Sequence, residues 1–220
     1  IAHGDYGDFA DQVANEVMST LYNLCRINKT RQEQAAQAGI VPHLKAAILP
    51  DSNHPGEAGP RAPLALPMLC AMALSMSRLC RAELYKHDGV QFFIQLTEHK
   101  NWQAKCLEAI AACLNQYDLA KVEHILLDEA NGRANIRTLT AVFYDGGPEL
   151  YEPFLKILES SKAVNEALGS ESHVITKLKN SLSFESNDAH ARVNLIKMLQ
   201  AIYKCHENPK LLISQQPPPA

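Results

Sequence analysis

The 220-residue sequence has little glycine, 10 residues in all, and none of the glycine-rich motifs that cradle phosphate. Neither G-x-x-x-x-G-K-[ST] nor G-x-G-x-x-G occurs, and neither H-R-D nor D-F-G, so nucleotide and kinase chemistry have no local signature. Gly7-Asp8-Phe9 holds the last three letters in the wrong order. There is no H-E-x-x-H and no C-x-x-C, and Cys205-His206 has no partners at ligand spacing, so no metal set is assigned. No nucleophile sits in a recognisable elbow. His43, His87 and His99 fall near helix starts or ends, where capping and dipole roles are common. No catalytic residue, cofactor or metal follows from these motifs.

Charge of one sign is also missing. The formal net charge is −3, which gives no electrostatic case for nucleic acid or an anionic membrane as partner. The longest apolar run, Leu64 to Met76, is too short to span a bilayer and contains Pro67. Residues 1–10 hold two acids and no basic stretch, so no signal peptide is read and a cytoplasmic location is expected. The six cysteines, Cys25, Cys70, Cys80, Cys106, Cys113 and Cys205, are then expected reduced. Cys106, Ile110, Cys113, Leu114 and Tyr117 share one helical face, the pattern of small buried hydrophobes. The chain opens on Ile1 rather than methionine, and we expect a piece of a longer polypeptide.

What is present is helix-forming. Alanine and leucine dominate and β-branched runs are short. Leu21 to Leu44 sets the pattern. Leu21, Leu24 and Ile27 end one helix, and Thr30-Arg31-Gln32-Glu33 reads as a capping box opening a short one. Gly39 suits the left-handed position after that helix, and Pro42 the first turn of a third.

Read along the chain, residues 1–9 are expected frayed. A first helix follows over 10–27 with Val13, Val17, Leu21 and Leu24 as its buried stripe. Five prolines between 50 and 67 predict a surface loop at 50–63, inserted between helices. Ala65 to Cys80 is apolar nearly all round and reads as one central buried helix, with Leu74 and Leu79 in its core and Met68, Met72 and Met76 in a stripe. Asp88-Gly89, Asn131-Gly132 and Asp145-Gly146-Gly147-Pro148 separate further helices. Phe92-Phe93-Ile94 alone resembles a strand, but its place in the pattern predicts helix. Ser186 or Asn187 is expected to cap a last long helix, and 208–220 is read as a disordered tail.

Leu24, Leu79, Leu114, Leu158 and Ile202 recur near the ends of long helices, with gaps of 55, 35, 44 and 44. Armadillo repeats run about 40–47 residues, and removing the proline-rich insertion restores the longest gap to that period. Leu24-Cys25-Arg26 returns as Leu79-Cys80-Arg81, and Gly39-Ile40-Val41 as Asp88-Gly89-Val90. The expected fold is all-α: a right-handed, armadillo-like helical-repeat solenoid of about four to five imperfect units over residues 10–207. An irregular α-bundle is the rival, in which such spacings would not recur.

LYNLC, INKTRQEQAAQAGI and VPHL within residues 21–44 resemble the armadillo-type region near the C-terminus of one kinase family. This is the fungal septation-initiation or mitotic-exit kinases, with their plant relatives, the MAP-kinase-kinase-kinase epsilon group. The resemblance implies a kinase domain elsewhere in the parent and a non-catalytic regulatory role for this region. It also implies localisation at the spindle pole body through a scaffold and a Ras-like small GTPase, and it leaves self-association open. The competing reading is a general armadillo adaptor. Nuclear-import receptors of that kind clamp peptides with Trp and Asn one turn apart. Here the Asn phase reads Asn23, Arg78, Cys113, Ile157, Ala201 and the Trp phase Ser19, Leu74, Ala109, Pro153, Lys197. Only Asn23 fits, so nuclear-signal recognition is disfavoured. The polar residues at the expected groove phase are Glu16, Ser19, Asn23, Arg78, Asn194 and Lys197, which we expect to form one concave partner-binding strip centred on Arg78.

Overall fold

The computed structural model describes residues 5–49, 59–75, 77–114, 119–131, 133–183 and 188–205, the side chains of 5–8 excepted. Among the described residues the regular structure is thirteen α-helices and two 3-10 turns, with no strand. The chain divides into two compact units, Ile1–Gly89 and Val90–Ala220.

In the first unit, α1 (Asp5–Cys25) begins earlier than the frayed start expected of residues 1–9, and ends at Cys25. α2 (Lys29–Gln37) follows, then α3 (Ile40–Ile48). Gly39, at φ 75°, makes the left-handed turn between them, and Pro42 sits in the first turn of α3. The expected capping box does not form. Asn28 caps α2 instead, its Oδ1 accepting from the Arg31 N–H at 3.1 Å.

Of the loop expected at 50–63, residues 50–58 lie outside the described residues. Gly59 is tied down, its N–H donating to Ile48 O at 3.1 Å. A Cβ there would meet Ala47 O at 2.5 Å, so only glycine lets the chain pass this close. α4 (Ala62–Leu74) starts directly after, with Pro63 in its first turn and Pro67 inside it. An interior proline costs a helix about 3 kcal/mol. Eight buried residues, among them Leu66, Met68, Leu69 and Met72, offset that loss.

The single helix expected over 65–80 is two. α4 stops at Leu74, and Ser77 caps α5 (Arg78–Lys86). This break overturns the expected core. Leu74 is 50% and Leu79 43% exposed, because each sits on the outer side of its own shorter helix. α1 is also rotated from expectation: Met18 and Cys25 are buried, while Val13, Val17 and Leu24 face solvent. α1 lies against α4 and α2 against α5, and Arg61 ties α4 to α1 through Asn15 and Asp11.

The second unit contains α6 (Gly89–Leu96), helical through Phe92-Phe93-Ile94, then a 3-10 turn (Lys100–Trp102) and α7 (Gln103–Leu114). α8 (Leu119–Leu126) and α9 (Ala134–Asp145) follow. A second 3-10 turn (Pro148–Leu150) leads into α10 (Tyr151–Ser160). α11 (Lys162–Ser170), α12 (Ser172–Leu182) and α13 (Ala189–Cys205) complete it. Asp188 engages the start of α13, its Oδ1 accepting from the Ala191 N–H at 2.7 Å. α10 is the centre of this unit, packed on both α7 and α13, with Phe154 stacked on Phe143 of α9 at 4.1 Å between ring centroids. α9 lies against α12 and α8 against α11.

Candidate partner surfaces

The outward faces are fixed by polar contacts at the helix junctions, and one arrangement occurs in each unit. Ser77 Oγ accepts from the Cys80 N–H at the start of α5 and donates to Glu33 of α2 at 2.6 Å. Ser161 Oγ accepts from the Val164 N–H at the start of α11 and donates to Glu123 of α8. The fourth residue of the short helix then reaches back to the preceding one. Gln32 Nε2 donates to Cys25 O at 2.7 Å, and Asn165 Nδ2 to Leu158 O at 2.9 Å. Both carbonyls close a helix and would otherwise be buried without a donor. Arg81 stands at the same place in α5, 2% exposed. Sequence reading missed the Ser77–Glu33 and Ser161–Glu123 pairs, which join residues 44 and 38 positions apart.

The six expected partner-binding residues divide between the units. Glu16, Ser19 and Asn23 lie on one side of α1 at i, i+3, i+7 spacing; Glu16 and Asn23 are exposed and Ser19 is half-buried. Arg78 is exposed, but it opens α5 rather than lying on the long helix expected to carry it. Asn194 is a correction: at 5% exposure it belongs to the buried side of α13, beside Leu195 and Met198, and offers nothing to a partner. Lys197 is exposed and borders a crevice of about 360 Å³ with Glu159, Lys162, Gln200 and Lys204.

Four further surface features were not foreseen. α1 turns Phe9, Val13, Val17 and Leu24 to solvent. α13 does the same with Val193, Ile196 and Tyr203. A nearly wholly apolar groove of about 380 Å³ runs along α12 and α13, lined by Ile175, Leu199, Ile202 and Tyr203 with Lys179 and Lys204 at its edge. A second crevice of about 420 Å³ between α9 and α12 is lined by Arg137, Thr140, Tyr144, Asp145, Glu171 and His173. His173 meets Tyr144 edge-on there, with ring centroids 5.5 Å apart.

Titration is perturbed at few groups. Burial pushes the Cys25 thiol up, and the neighbouring Cys80 adds to this, so Cys25 is a poor nucleophile. On the surface of α10, the hydrogen bond from Lys156 holds the Glu152 carboxyl below the usual carboxylate range. Among the described residues no cluster of three metal-ligating side chains occurs, and no helix is long and apolar enough to cross a membrane.

Over 217 residues, 94% of its length, the chain is 41% identical to MAP3K epsilon protein kinase 1 of Brassica napus. Over 196 residues it is 34% identical to cytokinesis protein sepH of Aspergillus terreus, and over 191 residues 21% identical to cell division control protein 7 of Schizosaccharomyces pombe, each match covering 87% of the chain. The chain spans only 15%, 14% and 17% of those three proteins, respectively. No protein-family model matches it, and no solved structure gives a significant match.

Proposed function

We propose, for a chain that belongs to the MAP3K epsilon and sepH kinase family through one region of those proteins, a non-catalytic role: it is the part by which such a kinase is held and regulated by other proteins. The observation that carries this reading is the pairing of a match over 94% of the chain with only 15% of the relative's length, in a sequence without a kinase motif. A segment that lacks H-R-D, D-F-G and the phosphate loop supplies no phosphoryl-transfer machinery of its own.

The helices support an armadillo-like grammar within each unit. Like stacks on like: α1 on α4 and α2 on α5 in the first, α7 on α10 on α13, α9 on α12 and α8 on α11 in the second. Repeats of this kind cannot bury their apolar faces singly, and the surfaces left at the outside serve as protein-binding faces. The names of the fungal relatives refer to cytokinesis and cell division control. In this reading, which rests on the resemblance of residues 21–44, the partners are a Ras-like small GTPase and a scaffold at the spindle pole body, met through Glu16, Asn23 and Arg78 in the first unit and Lys197 in the second. The whole is cytoplasmic.

The test is made in the full-length kinase. Deleting this region should leave phosphorylation of a generic substrate in vitro intact while abolishing recruitment of the fluorescently tagged kinase to its site in dividing cells. Loss of in vitro activity with recruitment retained would assign the region to catalysis. At residue level, Arg78→Glu and Asn23→Ala should weaken capture of the GTPase or scaffold at least fivefold with helicity unchanged. Equal capture by both variants would remove these residues from the interface.

A further inference from the structure

In the second unit, α6 and α9 are laced together by two carboxamides. Gln91 Nε2 donates to Asn135 Oδ1 at 3.1 Å, and Asn135 Nδ2 donates to Gln91 Oε1 at 2.9 Å. Asn135 Nδ2 also donates to Ile125 O at 2.8 Å. Each amide stands beside a buried aliphatic residue near the start of its helix: Gln91 follows Val90, and Asn135 precedes Ile136. A carboxamide holds both donors and an acceptor, so two of them close a step in both directions.

α9 and α12 pack on each other as the next step. Ile136 and Val174 are the corresponding buried residues. Arg137 follows the first and His173 precedes the second, so neither position holds a carboxamide. A guanidinium has five donors and no acceptor, and it cannot exchange bonds as an amide does. Arg137 and His173 make no hydrogen bond to each other, and both line the crevice of about 420 Å³ left in the seam.

Thr140 lines the same crevice. It is 4% exposed, and its Oγ1 has no hydrogen-bond partner. Thr138, two residues earlier, instead donates to Ala134 O of its own helix at 3.1 Å. A buried hydroxyl without a partner is uncommon and costs stability. The Arg137 guanidinium and the Asp145 and Glu171 carboxylates, also in the lining, have no ion-pair partner among the described residues. Lys177 of α12 adds a second cation, donating to the carbonyl of Gly146, the residue after Asp145, at 2.9 Å. Two cations and two carboxylates therefore balance around the site. A lone anion would meet Asp145 and Glu171, and a lone cation would meet Arg137 and Lys177. An uncharged group with both a donor and an acceptor is opposed by neither pair.

We propose that the crevice between α9 and α12 binds the side-chain carboxamide of an asparagine or glutamine presented by a protein partner. Its oxygen accepts from Arg137, its nitrogen donates to a carboxylate of the lining, and the Thr140 hydroxyl gains the partner it lacks. Ala141 and the Tyr144 ring, which meets His173 edge-on, supply an apolar wall for the stem of that side chain. The incoming group thus takes the part that a carboxamide of the chain itself plays between α6 and α9. The site is separate from Glu16, Asn23, Arg78 and Lys197, and it stands whether or not those residues meet a partner.

The experiment is an NMR titration of the 220-residue chain, read at the Tyr144 and His173 rings. The probes are the N-acetyl methylamides of glutamine, glutamate, lysine and alanine. The glutamine compound should give saturable shifts at both rings, with a dissociation constant of about 1–30 mM and no shift at Trp102, which is outside the lining. The other three compounds should bind at least fivefold more weakly. Thr140→Val keeps the side-chain shape without the hydroxyl, and Arg137→Met removes the guanidinium. Each should weaken binding of the glutamine compound at least threefold. Arg137 is exposed and the Thr140 hydroxyl makes no bond, so neither variant should melt below the unaltered chain. No saturable shift up to about 100 mM would overturn the proposal. Equal binding of the alanine compound would overturn it in favour of main-chain amides. Tighter binding of the glutamate or the lysine compound would make the crevice a site for a charged group. Unchanged affinity in both variants would mean an adventitious additive only.

Discussion

Ser77 and Glu33, 44 residues apart in the chain, are joined by a 2.6 Å hydrogen bond from the serine hydroxyl to the carboxylate. The serine's other contact is the Cys80 N–H at the start of α5, so one side chain both starts that helix and fastens it to α2. Ser161 and Glu123 repeat the arrangement in the second unit. Removing a helix-capping serine costs about 0.5–2 kcal/mol. Ser77→Ala and Ser161→Ala should each lower the unfolding free energy from urea titration by that order. In a double-mutant cycle, Ser77→Ala and Glu33→Ala should couple by about 0.5–1 kcal/mol. Additive losses would reduce Ser77 to a cap with no second role.

Asn165 is 1% exposed, and its amide nitrogen supplies a donor for Leu158 O. Asn165→Leu keeps the branched outline of the side chain and withdraws that donor. A buried carbonyl left without a partner costs about 1–3 kcal/mol. Equilibrium denaturation should show that loss, and an unchanged midpoint would mean that solvent reaches the carbonyl.

The core of the first unit lies at Leu66 and Leu69, 2% and 0% exposed, and not at Leu74 and Leu79. Leu69→Ala should cost about 2–5 kcal/mol through lost burial and the cavity left behind. Leu79→Ala, at a half-exposed position, should cost under about 1 kcal/mol. Thermal melts of the two variants compare them directly, and a larger loss at Leu79 would place the α4–α5 break wrongly.

Cysteine reactivity should follow exposure. Cys205 is half-buried and the other five thiols are buried. Burial raises the Cys25 thiol above its ordinary value, which lowers its thiolate fraction at any given pH. A chromogenic disulfide reagent at pH 8 should label Cys205 first, with the remaining thiols reacting only on denaturation. Fast labelling of Cys25 would contradict its placement between α1 and α2.

Glu152 is hydrogen-bonded by Lys156 one turn along α10, at 2.8 Å, and this lowers its carboxyl. Its contribution is present above the unfolded carboxylate value and is lost as pH falls through the lower folded one. The pair is exposed, so the effect on stability is small. NMR titration should find Glu152 ionising at lower pH than free surface glutamates, and Lys156→Met should return it toward the ordinary range.

Local chemistry settled much of this protein in advance. The helical class, the left-handed turn at Gly39, the proline at the start of α3 and the kinship with the MAP3K epsilon and sepH kinases were all legible, because each depends on a short run of residues. The rest depended on what a helix meets after it forms. α1 has apolar residues on two sides, and its 3.6-residue period fits either side to a core; contact with α4 and α2 decided for Met18 and Cys25 and left Val13, Val17 and Leu24 outside. Asn194 looked like a surface residue because it is polar, yet it lies on the packed side of its helix. Glu33 looked like half of a capping box until Ser77 arrived from the next short helix. Periodicity names which residues share a face. Only the neighbouring helix, brought there by burial of the whole chain, selects which face is inside.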